Sequence, residues 1–115
     1  MPIRKECPLE GYTDCFFEVA DKWTRGDFRA YWNQGGDEFF AVYRRKITKL
    51  HLTVEEGEPI TAPAELVDAR IDGVDYVLWR WFGMAFAEAV VEAQRLGEAK
   101  AQQSSPTSAA KNGSA

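Results

Sequence analysis

The sequence predicts an α+β, mainly helical fold, ordered strand–helix–helix–strand–helix–long helix with a disordered C-terminal tail. Three observations carry this. Two short segments, Asp14–Val19 and Leu50–Val54, alternate apolar and polar side chains as half-buried strands do. Four longer ones repeat apolar residues at three- and four-residue intervals, the helical period. Beyond Gly97 large apolar residues cease altogether. Two strands are too few to bury a sheet alone, so helices must cover them.

In the first strand Cys15, Phe17 and Val19 share a face. Trp23 follows, and Thr24 with Asp27 has the spacing of a capping box, opening a short helix to about Trp32 with Phe28, Tyr31 and Trp32 as its apolar face. Gly35-Gly36 ends it. Asp37 caps a second helix, Glu38–Lys49, whose apolar side carries Phe39, Phe40, Tyr43 and Ile47, with Leu50 just beyond. The strand Leu50–Val54 leads into a polar turn, Glu55–Glu58. Pro63 fits the first position of a third helix, with Glu65 in its first turn and Leu66 and Val67 apolar.

Asp72 caps, and Gly97 stops, the long helix that dominates the sequence. On a helical wheel Val74, Leu78, Trp81, Phe82, Ala85, Phe86, Ala89, Val90, Ala93 and Leu96 fill one half, an ordinary core face. Trp81 and Phe86 are expected inside the core. The other half carries Arg80, Glu88 and Arg95, yet also Val77, Met84 and Val91 at seven-residue spacing. A helix with a second apolar stripe is covered on both sides or meets a partner. Val77, Arg80, Met84 and Val91 are therefore the expected partner-binding surface, with Trp23 and Trp32 as the second place to look. In a competing reading the first two helices of this same chain cover the stripe.

The chain has 115 residues, enough for one modest core, read as a single domain over residues 1–97. Residues 98–115 read as a disordered polar tail, of which Glu98–Gln103 are good helix formers able to prolong the helix. Fifteen aromatic residues, all before residue 87, are many for this length. With a net charge of −4 and a pI near 5.0, a general attraction to nucleic acid or anionic membrane is not expected. Cys7 and Cys15 read as reduced thiols of a cytoplasmic protein, because the N-terminal segment has no hydrophobic run suited to export. No uncharged stretch approaches the ~20 residues of a membrane span.

The sequence offers no candidate catalytic residue, metal ligand set or cofactor motif. His51 is the only histidine, without the companions a zinc site needs, and reads as a solvent-facing strand residue. Serine occurs only in the tail, no base supports either cysteine, and Gly35-Gly36 lacks a phosphate-loop context. The Glu55–Glu58 turn lacks the spacing of a calcium loop. Arg25-Gly26-Asp27 spells an integrin tripeptide inside a capped helical turn, where chance is the better account. The one basic cluster, Arg44, Arg45, Lys46 and Lys49, reads as a solvated helix face, though it supports an alternative: a small nucleic-acid-binding or regulatory protein.

Three segments together resemble the tail assembly chaperones of long-tailed bacteriophages. FFEVADKWTRGDFRAYWN runs a strand into a short helix that follows a tryptophan, and GDEFFAVYRRKITKLHLTVEEGEPIT feeds a helix into a strand and polar turn. DARIDGVDYVLWRWFGMAFAEAVVEAQRLGEAK supplies the long C-terminal helix. The resemblance covers about residues 10–100 and rests on a pattern of elements and aromatics. It implies a non-enzymatic chaperone, cytoplasmic in a bacterial host cell, that binds and solubilises the helical tape measure protein during tail assembly and self-associates. It brings no catalytic residues, and its binding residues are fixed by no motif.

Overall fold

Alternation at Cys15, Phe17 and Val19 leaves one greasy face on the strand that contains them. The computed structural model, which describes residues 2–33 and 36–104, sets this strand at the centre of a three-stranded antiparallel sheet. The order is β1 (Ile3–Glu6), β2 (Phe16–Val19), β3 (Ile47–His51). Between β2 and β3 run α1 (Arg25–Asn33) and α2 (Gly36–Lys46). A 3-10 turn (Pro63–Glu65), α3 (Asp68–Ile71) and α4 (Tyr76–Ser104) follow. The fold is α+β, with helix outweighing strand.

β1 was not apparent in the sequence. Its residues, Ile-Arg-Lys-Glu, offer one apolar side chain to the core, and charged neighbours are what an exposed sheet edge favours. Arg4 lies across the outer face, donating to Glu6 and Glu18, both at 2.7 Å, with its guanidinium over the Phe16 ring at 4.1 Å.

The second helix stops at Lys46, three residues short of the expected end, and β3 takes over Ile47, Thr48 and Lys49. The cause is a bulge. Val19 pairs with Ile47 and Glu18 with Lys49, so Thr48 is left over. Both Ile47 and Leu50 therefore point inward with two exposed residues between them, an interval that imitates a helical period. Leu52 lies past the strand in an isolated bridge to Ile60, closing the polar turn, and Gly57 in that turn has φ of 104°. His51 is half-buried, its Nε2 3.5 Å from the Asp14 carboxylate, so it is not the open strand residue expected.

The glycine and aspartate boundaries also move. Gly36 opens α2 and Asp37 lies within it; Gly35 and the side chain of Phe39 fall outside the described residues. The third helix divides into the 3-10 turn and α3, with Leu66 buried and Val67 exposed. Asp72 ends α3 instead of starting α4. The α4 cap is Asp75, whose Oδ1 accepts the Val77 N–H at 2.8 Å. Gly97 does not stop α4. One glycine costs a helix roughly 1 kcal/mol, and the residues after it are strong helix formers. Residues 98–104 continue the helix, Glu98–Gln103 among them as helix formers able to prolong it, and the rest of the expected tail, 105–115, lies outside the described residues.

The core forms where α4 crosses the sheet. Leu78, Phe82, Phe86, Ala89 and Val90 are fully buried, and the Phe82 and Phe86 rings meet Phe17 of β2 and Tyr43 of α2. Trp81 is half-buried at the margin, edge-on to Phe17 at 5.6 Å, so it packs against the core without entering it. Leu96 is exposed, although its place on the wheel matches the core face. On α1, Tyr31 is buried and Phe28 half-buried, whereas Trp32 turns outward.

The capping box at the start of α1 is present in full. Asp27 accepts the Thr24 N–H at 2.9 Å and donates its own N–H to the Thr24 hydroxyl at 3.1 Å. The same carboxylate is buried and reaches across to α2, taking Arg45 at 2.8 Å and Lys46 at 2.9 Å. Burial alone would raise its pKa; the Thr24 N–H and the two cations outweigh that and hold it well below the usual carboxylate range. A carboxylate depressed in the folded state stabilises above the unfolded value of about 3.9, and that contribution is lost as pH falls through the folded value. Wild-type urea midpoints should therefore drop from pH 5 towards pH 2. Asp27→Asn should lose about 2 kcal/mol at neutral pH and show a shallower acid slope. An unchanged slope in the variant would remove Asp27 from this role.

Candidate partner-binding surfaces

α4 has 29 residues, about 43 Å at the helical rise, and the sheet with its helices covers only part of that length. Two apolar surfaces result, on different sides of the same helix. The first is the stripe opposite the core. Val77, Met84 and Val91 are 54%, 61% and 44% exposed, and Arg80 is exposed beside them. None of the described residues covers the stripe, which removes the reading in which α1 and α2 pack there. Along one flank the chain after β1 contributes Pro8 and Leu9, forming a groove of about 500 Å³ with Val77, Arg80, Trp81 and Met84.

The second surface lies where the core face of α4 runs on beyond the body. Ala93, Leu96 and Gly97 form one wall of a groove of about 1000 Å³; Trp23, Phe28 and Trp32 form the other. Leu96 is 45% and Trp32 52% exposed. The wall is built firmly. Trp23 donates its indole N–H to the Ala20 carbonyl at 2.7 Å and stacks on Phe28 at 5.0 Å. Lys46 lies 5.9 Å from the Trp23 ring. Trp32 projects past this platform, edge-on to Tyr31.

The six residues expected to meet a partner line these two surfaces, Val77, Arg80, Met84 and Val91 on the stripe and Trp23 and Trp32 on the groove. Sequence reasoning missed Pro8, Leu9 and Phe28 as lining residues and assigned Leu96 to the core. Its position on the wheel matches the core; what the wheel omits is where the neighbouring elements end.

The basic cluster spends its charge inside the molecule. Arg44 donates to the Leu66 carbonyl at 2.8 Å, Arg45 to Asp27, and Lys46 to Asp27 and the Lys22 carbonyl at 2.9 Å. Lys49 is exposed on β3 opposite Glu18. Asp27 of the Arg-Gly-Asp tripeptide is buried in its ion pairs and cannot be presented to a receptor. Cys7 and Cys15 are free and buried, and burial pushes the Cys7 thiol pKa up. Among the described residues no group of three or more potential metal ligands is assembled, and no helix is long and apolar enough to cross a membrane. Compared with family models, with curated proteins and with solved structures, the chain matches none.

Exposure of the stripe makes a direct demand. Met84→Glu with Val91→Glu should leave a folded protein whose thermal stability is within roughly 0.5–1 kcal/mol of wild type, since surface substitutions seldom do more. Loss of folding in dilute solution would show that the stripe is core.

Proposed function

We propose that this protein is a non-enzymatic assembly chaperone that sheathes an apolar helical segment of a longer partner. The observation that carries the reading is the groove in which Leu96 and Ala93 face Trp23, Phe28 and Trp32. It continues the core face of α4 with nothing laid upon it among the described residues. An amphipathic helix placed there would complete the packing that the domain leaves unfinished, the helix-in-groove mode of recognition. Its rigid aromatic wall is suited to anchor such a segment, because tryptophan supplies much of the binding energy where it is desolvated.

The resemblance to phage tail assembly chaperones supplies the partner's identity within this proposal: a tape measure protein, long, helical and in need of cover before the tail is built. The alternative, nucleic-acid binding through Arg44, Arg45, Lys46 and Lys49, has less to draw on, as three of these four cations are committed to acceptors within the chain.

The test is co-expression with a tape measure protein and pull-down at low and high salt. Capture should survive, because apolar burial barely weakens with salt whereas phosphate contacts fall steeply. Trp32→Ala and Leu96→Glu should each weaken capture by about 30-fold, the effect of losing roughly 2 kcal/mol at an anchor, with little change in thermal midpoint. Absent capture, or capture abolished by salt, would overturn the reading.

A further inference from the structure

The stripe on the outer face of α4 has a symmetry that the groove lacks. Val77 and Val91 stand seven residues either side of Met84, and Arg80 and Glu88 stand four either side. At 100° per residue the two valines lie about 20°, and the two charges about 40°, to opposite sides of Met84, so all five occupy one narrow face. Reading this face backwards exchanges valine with valine and arginine with glutamate.

Arg80 has no carboxylate at ion-pair distance among the described residues. Glu88 shares one cation, Lys5, with Glu92, each at 3.6 Å, so these two acids retain an excess negative charge. Glu88 itself is largely exposed. Arg80 and Glu88 are thus each available to a further partner of opposite sign, two turns of helix apart.

We propose that this face is a homodimer seam: two copies of α4 pair antiparallel about a two-fold axis at Met84, with Arg80 of each facing Glu88 of the other. Met84 then meets Met84, and each Val77 meets Val91 of the second copy. Such an interface is isologous, every contact occurring twice, so two ion pairs flank one apolar layer. In-register parallel pairing would set arginine against arginine and glutamate against glutamate; the charges therefore select the antiparallel arrangement. The seven-residue spacing keeps the apolar residues in contact if the pair coils gently to the left. Pro8 and Leu9, on one flank, widen the contact beyond the helices alone. The proposal does not depend on the helix-capture reading, since it uses the opposite face of α4.

Sedimentation equilibrium of the full chain tests it. Wild type should pass with concentration from the 13.0 kDa monomer to twice that mass. Arg80→Glu and Glu88→Arg should each weaken the dimer about tenfold, through two symmetry-related pairs of modest strength, and the double variant should recover most of the loss. Orientation is read by disulfide cross-linking, for which buried Cys7 and Cys15 do not compete. Val77→Cys mixed with Val91→Cys should cross-link, and neither should do so alone. A strictly monomeric wild type, a double variant no tighter than the singles, or ready cross-linking of Val77→Cys alone would overturn the proposal. Circular dichroism of each variant separates lost pairing from lost folding.

Discussion

Phe86 sets the rotation of α4, and most of what the surface offers follows from that rotation. Its ring is fully buried, with neighbouring ring centroids at 4.6 Å for Tyr43, 5.6 Å for Tyr31 and 6.1 Å for both Phe17 and Trp23. Those rings come from α2, α1, β2 and the segment between β2 and α1, so one side chain holds four parts of the chain against the helix. Truncating a buried aromatic of this kind costs about 3–5 kcal/mol, a large share of a small domain's stability. Turning α4 by one residue would swing Phe86 out of this cluster. With the phase fixed, Val77, Met84 and Val91 stay outside the core, and Leu96 emerges on the core side of the helix, exposed across the groove from Trp23 and Trp32.

Asp27 makes a second tie of a different kind. It caps α1 and pairs with Arg45 and Lys46 of α2, so the polar end of the short helix and the basic end of the longer one are locked together. This has a consequence for function. Charges that look free in the sequence neutralise a buried carboxylate, and the same contact withdraws the Arg-Gly-Asp aspartate from the surface. The Trp23 wall of the groove stands beside this junction, so the platform proposed for a partner helix rests on the ion pair as well as on ring packing.

Much of this was legible in the sequence because the signals were strong and local. Cys15, Phe17 and Val19 alternate without interruption, Thr24 and Asp27 form a complete box, and the wheel of α4 separates core from stripe correctly at Phe82, Phe86, Val77 and Met84. What was not legible depends on neighbours distant in the chain. The bulge at Thr48 borrows a helical interval, and β1 has too little apolar content to announce itself. Asp72 has the look of a cap for α4, yet it closes α3, and the cap falls to Asp75 three residues later. Leu96 and Trp32 carry apolar character that a local reading assigns inward. Only the three-dimensional arrangement shows that both are exposed, on the walls of one groove.

In the proposed arrangement α4 serves two partners with two faces, one toward a second copy and one toward an apolar helix. The four tryptophan indole N–H signals in a proton–nitrogen NMR spectrum report on this directly, since Trp81 borders the stripe, Trp23 and Trp32 line the groove, and Trp79 stacks on Phe82 away from both. Dilution should move the Trp81 signal, and addition of an amphipathic helical peptide should move Trp23 and Trp32, with Trp79 steady throughout. A peptide response confined to Trp79 and Trp81, or a Trp81 signal indifferent to concentration, would contradict the division of faces.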